Sequence, residues 1–384
     1  MEFRDSRLVR AWAPVGEGPI DAAIRARREA GLRVLSLLGN FGQADCPSFS
    51  PERFADILSA TRQGPYAPDP LGQLAAREAV AEYYVARQWS ISPPQLLLTP
   101  GTSLGYFYAL RILTRPGDDV LVPKPGYPLF DDLCALLGLT ARSYHLRQEA
   151  DQWAFDLEEI AFQTTPRTRA IVIVSPHNPT GNVPGAEALR AVGEFCRARS
   201  LALLFDEVFA EYSPAPFVRP QPEDFPLLLV LNGLSKMLAL PGAKMAWLAA
   251  AGDRQNVRSF MDAAAHLSDT FLPVSELMQG ALPKLLREGL TEELPQLQRL
   301  VERGRATVRE ALPQALIPTS GTYFTVPLTN DANDLAIATL IAELGVHVHP
   351  GSFYGMPPSV VGTVTNPQES LRMACEVLRG SLFV

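Results

Sequence analysis

Four lysines, Lys124, Lys236, Lys244 and Lys284, are all that the 384-residue chain offers for chemistry needing a primary amine, because its other basic residues are arginines. Lys236 stands in LNGLSK, just past the apolar run 227–231. An amine at the end of a buried strand is partly desolvated, so its pKa falls and it can form an imine with an aldehyde cofactor. The plainer alternative is a surface lysine that merely ends a strand. Asp206 ends the run LALLF and is followed by Glu207. A carboxylate there needs a cation or a donor, and a pyridinium nitrogen would serve, keeping the ring an electron sink. An ordinary strand-end pairing with an arginine is the other reading. The turn TPGTS brings Gly101, Thr102 and Ser103 to a helix start, where free N–H groups and hydroxyls suit a phosphate, although many helices begin this way as simple caps. Asn178 in SPHNPTG points an amide from a forced turn. Tyr127 in PGYP can lie flat on a ring or simply pack.

The same helix start supports a rival. Gly101 to Gly105 reads GTSLG, a match to the G-x-S-x-G nucleophile elbow, and Ser103, Asp206 and His347 or His349 follow in the order of a hydrolase triad. Against it, no His-Gly-rich oxyanion segment lies upstream, and NPTG and NGLSK go unexplained. His347 and His349 alternate on an expected strand and share a face, but a metal needs a third ligand, so both are read as structural.

These residues need elements to hold them. Apolar runs at 96–98, 120–122, 170–174, 201–205 and 227–231 each end in a polar turn, with helical patterns at 102–113 and 185–199 between them. Alternation of this kind specifies an α/β protein with a mostly parallel sheet. Ligands of such sheets collect beyond the carboxyl ends of the strands, where the five turns would meet. The length calls for two associated domains. Residues 46–280 form the larger, and 1–45 with 281–384 a smaller α+β one, with a helix from about Glu292 to Leu312 and a strand and turn in GVHVHPGSF.

Composition excludes other classes. The apolar share of 47% and charged share of 20% are ordinary for a globular protein, and no run approaches the roughly 20 apolar residues that span a bilayer. The net charge of -7 is spread without a basic stripe, which argues against nucleic acid and for a small-molecule substrate. Cys46, Cys134, Cys196 and Cys375 lie far apart without metal-ligand spacing, and the start MEFRDSRLVR lacks the apolar core of a secretory signal, so a cytoplasmic location is expected.

Taken together the motifs resemble the fold-type I pyridoxal-phosphate (PLP) enzymes, specifically the class I and II aminotransferases, over nearly the whole chain. LSLLGNFG, GPYAPDPLGQLAAREAVAEYY, TPGTS, PGYP, SPHNPTG, FDEVF, NGLSK, HVHPGSFYG and ESLRMAC carry the likeness in order. It implies a three-layer PLP-transferase fold and an exchange of an amino group between an amino acid and a 2-oxo acid. Lys236 would hold PLP as a Schiff base and move the proton. Asp206 would pair with the ring nitrogen, Tyr127 stack on the ring, and Asn178 face its hydroxyl. Gly101, Thr102, Ser103 and Lys244 would hold the phosphate, joined by Tyr66 from a second subunit, which implies a homodimer. Gly39, Asn178 and Arg372 would meet the substrate, Arg372 through its carboxylate.

Three positions depart from that family. Phe209 stands where a tyrosine usually donates to the ring oxygen, Lys244 where an arginine usually grips the phosphate, and Gly233 where many members carry a serine. One donor fewer on the ring oxygen predicts a raised pKa for the lysine–PLP imine. The departures keep open a lyase, decarboxylase or racemase on the same cofactor. A PLP-sensing regulator would need an attached DNA-binding domain, and none is seen.

Overall fold

The computed structural model describes residues 18–38, 49–61, 65–149 and 152–382. In chain order its strands are β1 (Leu35–Ser36), β2 (Leu96–Thr99), β3 (Asp119–Lys124), β4 (Thr140–His145), β5 (Arg147–Glu149), β6 (Gln152–Ala154), β7 (Thr168–Val174) and β8 (Ala202–Asp206). They continue with β9 (Leu227–Gly233), β10 (Ala246–Gly252), β11 (Tyr323–Pro327), β12 (Val346–His347), β13 (His349–Pro350) and β14 (Ser359–Thr363). Seven of them form the main sheet in the order β2-β10-β9-β8-β7-β3-β4. Only β10 runs against its neighbours. The carboxyl ends of β2, β3, β7, β8 and β9 therefore share one edge.

Both faces of this sheet are covered, so its strands read as unbroken apolar runs; β9 is buried along its whole length. Successive side chains serve opposite faces. Leu204, Leu229 and Leu231 pack with Tyr106, Tyr108 and Phe260 under the helices Thr102–Leu113 and Arg254–Asp269. Leu203, Phe205, Leu228 and Val230 join a core that continues into Phe324, Val326, Val360 and Leu371 beside the smaller sheet β11-β14-β13.

The expected strands and helices lie where the apolar runs placed them, within a residue or two, but two strands of the sheet escaped the pattern. β4 is an edge strand of mixed polarity, and β10 is an alanine-rich run of weak strand propensity. The expected helix at 292–312 is Leu294–Ala311, joined through a π-turn, Gly289–Glu293, to the helix Glu276–Glu288. GVHVHP is not one strand. It breaks at Val348, so that β12 pairs with β1 and β13 with β14. Among the described residues no helix is long and apolar enough to cross a membrane, and no group of His, Cys, Asp or Glu is arranged to hold a metal.

Candidate active site

The five turns enclose a cavity of about 400 Å³ lined by Thr102, Ser103, Tyr127, Asn178, Asp206, Phe209 and Lys236, with Tyr323, His349 and Tyr354 closing it from the smaller sheet. That volume is typical of a small-molecule site. Leu129, Phe130, Val174 and Val208 supply apolar walls between these polar groups.

Asp206 is 8% exposed at the end of β8. The Tyr106 hydroxyl donates to its Oδ2 at 3.0 Å and the Val208 N–H to its Oδ1 at 3.0 Å. Burial pushes the carboxyl up to about 6, against the pull of those two donors. Lys236 lies in the short helix Leu234–Met237 that follows β9 directly. Burial lowers its pKa, and the Asp206 charge partly restores it. The Tyr212 hydroxyl fixes the backbone beneath it by donating to the carbonyls of Lys236 and Met237, at 3.0 and 3.1 Å. Glu207, wholly buried beside Asp206, accepts from Arg219 Nε at 2.6 Å and Asn232 Nδ2 at 3.0 Å. Asn232 Oδ1 accepts from the Gly233 N–H at 2.7 Å, so one ionic network ties the end of β8 to the turn that presents Lys236.

The helix Thr102–Leu113 starts from Gly101 with no side chain capping it, leaving its first N–H groups for a ligand. A Cβ on Gly101 would sit 3.8 Å from Lys244 Nζ, which places that ammonium at the helix start. Lys244 adopts φ 49, a left-handed conformation uncommon outside glycine and a mark of strain held in place by its surroundings. At Gly233 a Cβ would come within 2.6 Å of the Ala246 Cβ on β10. A serine there would require the two strands to separate.

Phe209 presents an edge to the Tyr323 ring at 5.7 Å and 79°. Tyr323 and Tyr354 are held neutral by burial, with the Asn178 amide opposing the effect at Tyr323. His349 is pushed down to about 4 by burial, and its Nδ1 lies 2.9 Å from the Tyr354 hydroxyl. Asp206 is thus engaged with Tyr106 and Val208 while His349 faces Tyr354. These are not the contacts of a serine triad.

Not every expected residue arrives here. Arg372 is exposed on the helix Gln368–Leu382 and is not among the residues lining the cavity, because Leu371 and Ala374 turn the buried face of that helix the other way. Tyr66 is 73% exposed and borders a separate shallow cleft with Asp69, Gln73 and Glu276. Gly39 lies outside the described residues. Sequence reasoning passed over Tyr106, Tyr323 and Tyr354. The first stands one helical turn beyond the phosphate-type turn, a spacing that could have singled it out.

The geometry has counterparts. The sequence profile of the family Aminotransferase class I and II matches residues 47–378. The chain is 32% identical over 280 residues to the glutamate-pyruvate aminotransferase AlaA of Escherichia coli, covering 69% of this chain and 67% of that one. It is 25% identical over 340 residues to human tyrosine aminotransferase, covering 83% and 73%. A Thermus thermophilus aspartate aminotransferase superposes with a TM-score of 0.86 at 24% identity, covering 100% of both chains. Alanine aminotransferase from Pyrococcus furiosus gives 0.86 at 20%, covering 99% of this chain and 100% of that one.

Proposed function

From the chain's membership of the class I and II aminotransferases, we propose that the cavity around Lys236 is where an amino acid and a 2-oxo acid exchange their amino group. The chain is a PLP-dependent aminotransferase. One observation carries the assignment of the site: an amine of lowered pKa and a buried carboxylate of raised pKa line the same cavity at the strand ends. Perturbed pairs of this kind mark functional sites.

The residues fit the cofactor by the chemistry of their groups. When bound, PLP supplies a ring that withdraws electrons from the substrate α-carbon. Lys236 would hold the cofactor aldehyde through Nζ, and once the incoming substrate amine has displaced it, the freed Nζ would carry the proton between the substrate α-carbon and the cofactor side. Asp206 keeps the ring nitrogen protonated, with Tyr106 and Val208 orienting its oxygens. Asn178 faces the ring oxygen and Tyr127 the ring. Gly101, Thr102, Ser103 and Lys244 receive the phosphate. Tyr66, exposed and away from its own cavity, serves the phosphate of a second copy in a homodimer, and residues 46–280 form the PLP-binding domain. Buried free thiols at Cys134, Cys196 and Cys375 suit a reducing cytoplasm.

The test is borohydride reduction of the PLP-treated protein and mapping of the modified lysine, followed by product analysis with candidate amino acids. One pyridoxyl group on Lys236 and a keto acid formed in step with amino transfer are expected. No adduct at Lys236 would remove the basis of the reading.

A further inference from the structure

The charges around the cavity leave a question open. Its described lining holds one cation, Lys236, and one carboxylate, Asp206, both engaged in the cofactor chemistry proposed above. No guanidinium is present among the described lining residues, and Arg372 is exposed elsewhere. Yet an amino acid brings a carboxylate, and a carboxylate moved from water into a partly enclosed cavity requires donors. The remaining wall supplies hydroxyls. Tyr323 and Tyr354 stand on it together, each with a polar neighbour behind it, Asn178 beside Tyr323 and His349 Nδ1 at 2.9 Å from the Tyr354 hydroxyl. With its proton on Nδ1, His349 donates to the Tyr354 oxygen and leaves that hydroxyl's proton to point into the cavity.

The wall is also built to stay in place. The Phe209 ring meets Tyr323 edge-on and the Phe353 ring lies 4.5 Å from His349. The Gly126 N–H donates to the Tyr354 carbonyl at 2.9 Å, fastening this wall to the loop that presents Tyr127. The turn Gly351–Tyr354 is itself pinned where Asp334 accepts from the Ser352 N–H at 2.8 Å and from its hydroxyl at 2.9 Å. Fixed donors of this kind bind without further ordering cost.

We propose that the hydroxyls of Tyr323 and Tyr354, backed by Asn178 and His349, form the subsite for the substrate carboxylate in place of an arginine. The inference rests on the cavity being the PLP site. Neutral donors hold a carboxylate less tightly than a bidentate guanidinium. The subsite therefore favours the carboxylate modestly and tolerates its uncharged analogues.

The test uses the PLP-loaded enzyme and two unreactive ligands, 3-phenylpropanoate and 3-phenylpropanamide, with binding read from the visible absorption of the cofactor. Wild type is expected to prefer the carboxylate. Tyr323→Phe and Tyr354→Phe should each weaken carboxylate binding by about tenfold or more, the loss of one hydrogen bond to a charged group, with little change for the amide. Arg372→Gln should bind both ligands as wild type does. A fall for both ligands alike in the tyrosine variants would mark those residues as structural and overturn the proposal. So would unchanged carboxylate binding in both variants, a loss in Arg372→Gln, or a wild type that does not distinguish the ligands. A wild type forming no borohydride adduct at Lys236 would instead bring down the underlying assignment, and this inference with it.

Discussion

Asp206 carries its charge where water scarcely reaches, and the two donors beside it only partly make up for the lost hydration. A carboxyl whose folded pKa lies above its unfolded value costs stability above the folded pKa, and the cost fades as pH falls toward the unfolded value. With a folded pKa of about 6 against 3.8, Asp206→Asn should stabilise the cofactor-free protein at pH 8 by roughly 2 to 3 kcal/mol in urea unfolding. The same change should abolish tight PLP binding. An unaltered unfolding midpoint would show that the burial cost is relieved elsewhere. In the proposed pairing with the ring nitrogen Asp206 is ionised, so affinity for PLP should decline below about pH 6. In Tyr106→Phe, which lacks one of the donors, that decline should begin at higher pH; an unshifted profile would count against the role given to Tyr106. At Phe209 the addition of a hydroxyl, Phe209→Tyr, should lower the pH at which the bound cofactor's absorption titrates. Identical titrations would exclude the missing donor as a cause of any raised value.

At the scale of elements, Glu207 and Arg219 join the end of β8 to the following loop, and Asn232 links them to β9. Arg219→Met would leave an uncompensated buried carboxylate and should cost about 3 to 5 kcal/mol. Pairing it with Glu207→Leu should recover much of that loss. A double variant as unstable as the single would argue that packing, not charge, dominates. This network also bears on what a sequence can reveal. That Lys236, Asp206 and Asn178 gather at one cavity was legible because each follows an apolar run at a strand end. Tyr106 was not, because an aromatic inside a helix reads as packing, and its partner Asp206 stands 100 positions away. Tyr323, at the start of β11, and Tyr354, in the turn Gly351–Tyr354, stayed hidden because buried aromatics there read equally as packing. Arg372 was chosen on motif position alone; its helix turns Leu371 and Ala374 inward and leaves Arg372 exposed, outside the described lining of the cavity. β10 went unseen because its alanine-rich run favours helix over strand.

For the whole molecule, the exposed Tyr66 sets up a test of the proposed dimer. Tyr66→Ala and Lys236→Ala chains, each impaired alone, should regain about a quarter of wild-type activity when unfolded and refolded together, since half the dimers are then hybrids with one intact site of two. No recovery on mixing would mean that Tyr66 serves its own chain or none.

The buried charge of Asp206 has one more consequence. In the proposed site PLP pairs with that charge, so its binding to the folded chain should add stability by mass action. The protein without cofactor is the less stable form and unfolds more often. In a cell short of PLP, proteases would then remove the empty chains first, and the amount of enzyme would follow the supply of the vitamin without a dedicated sensor.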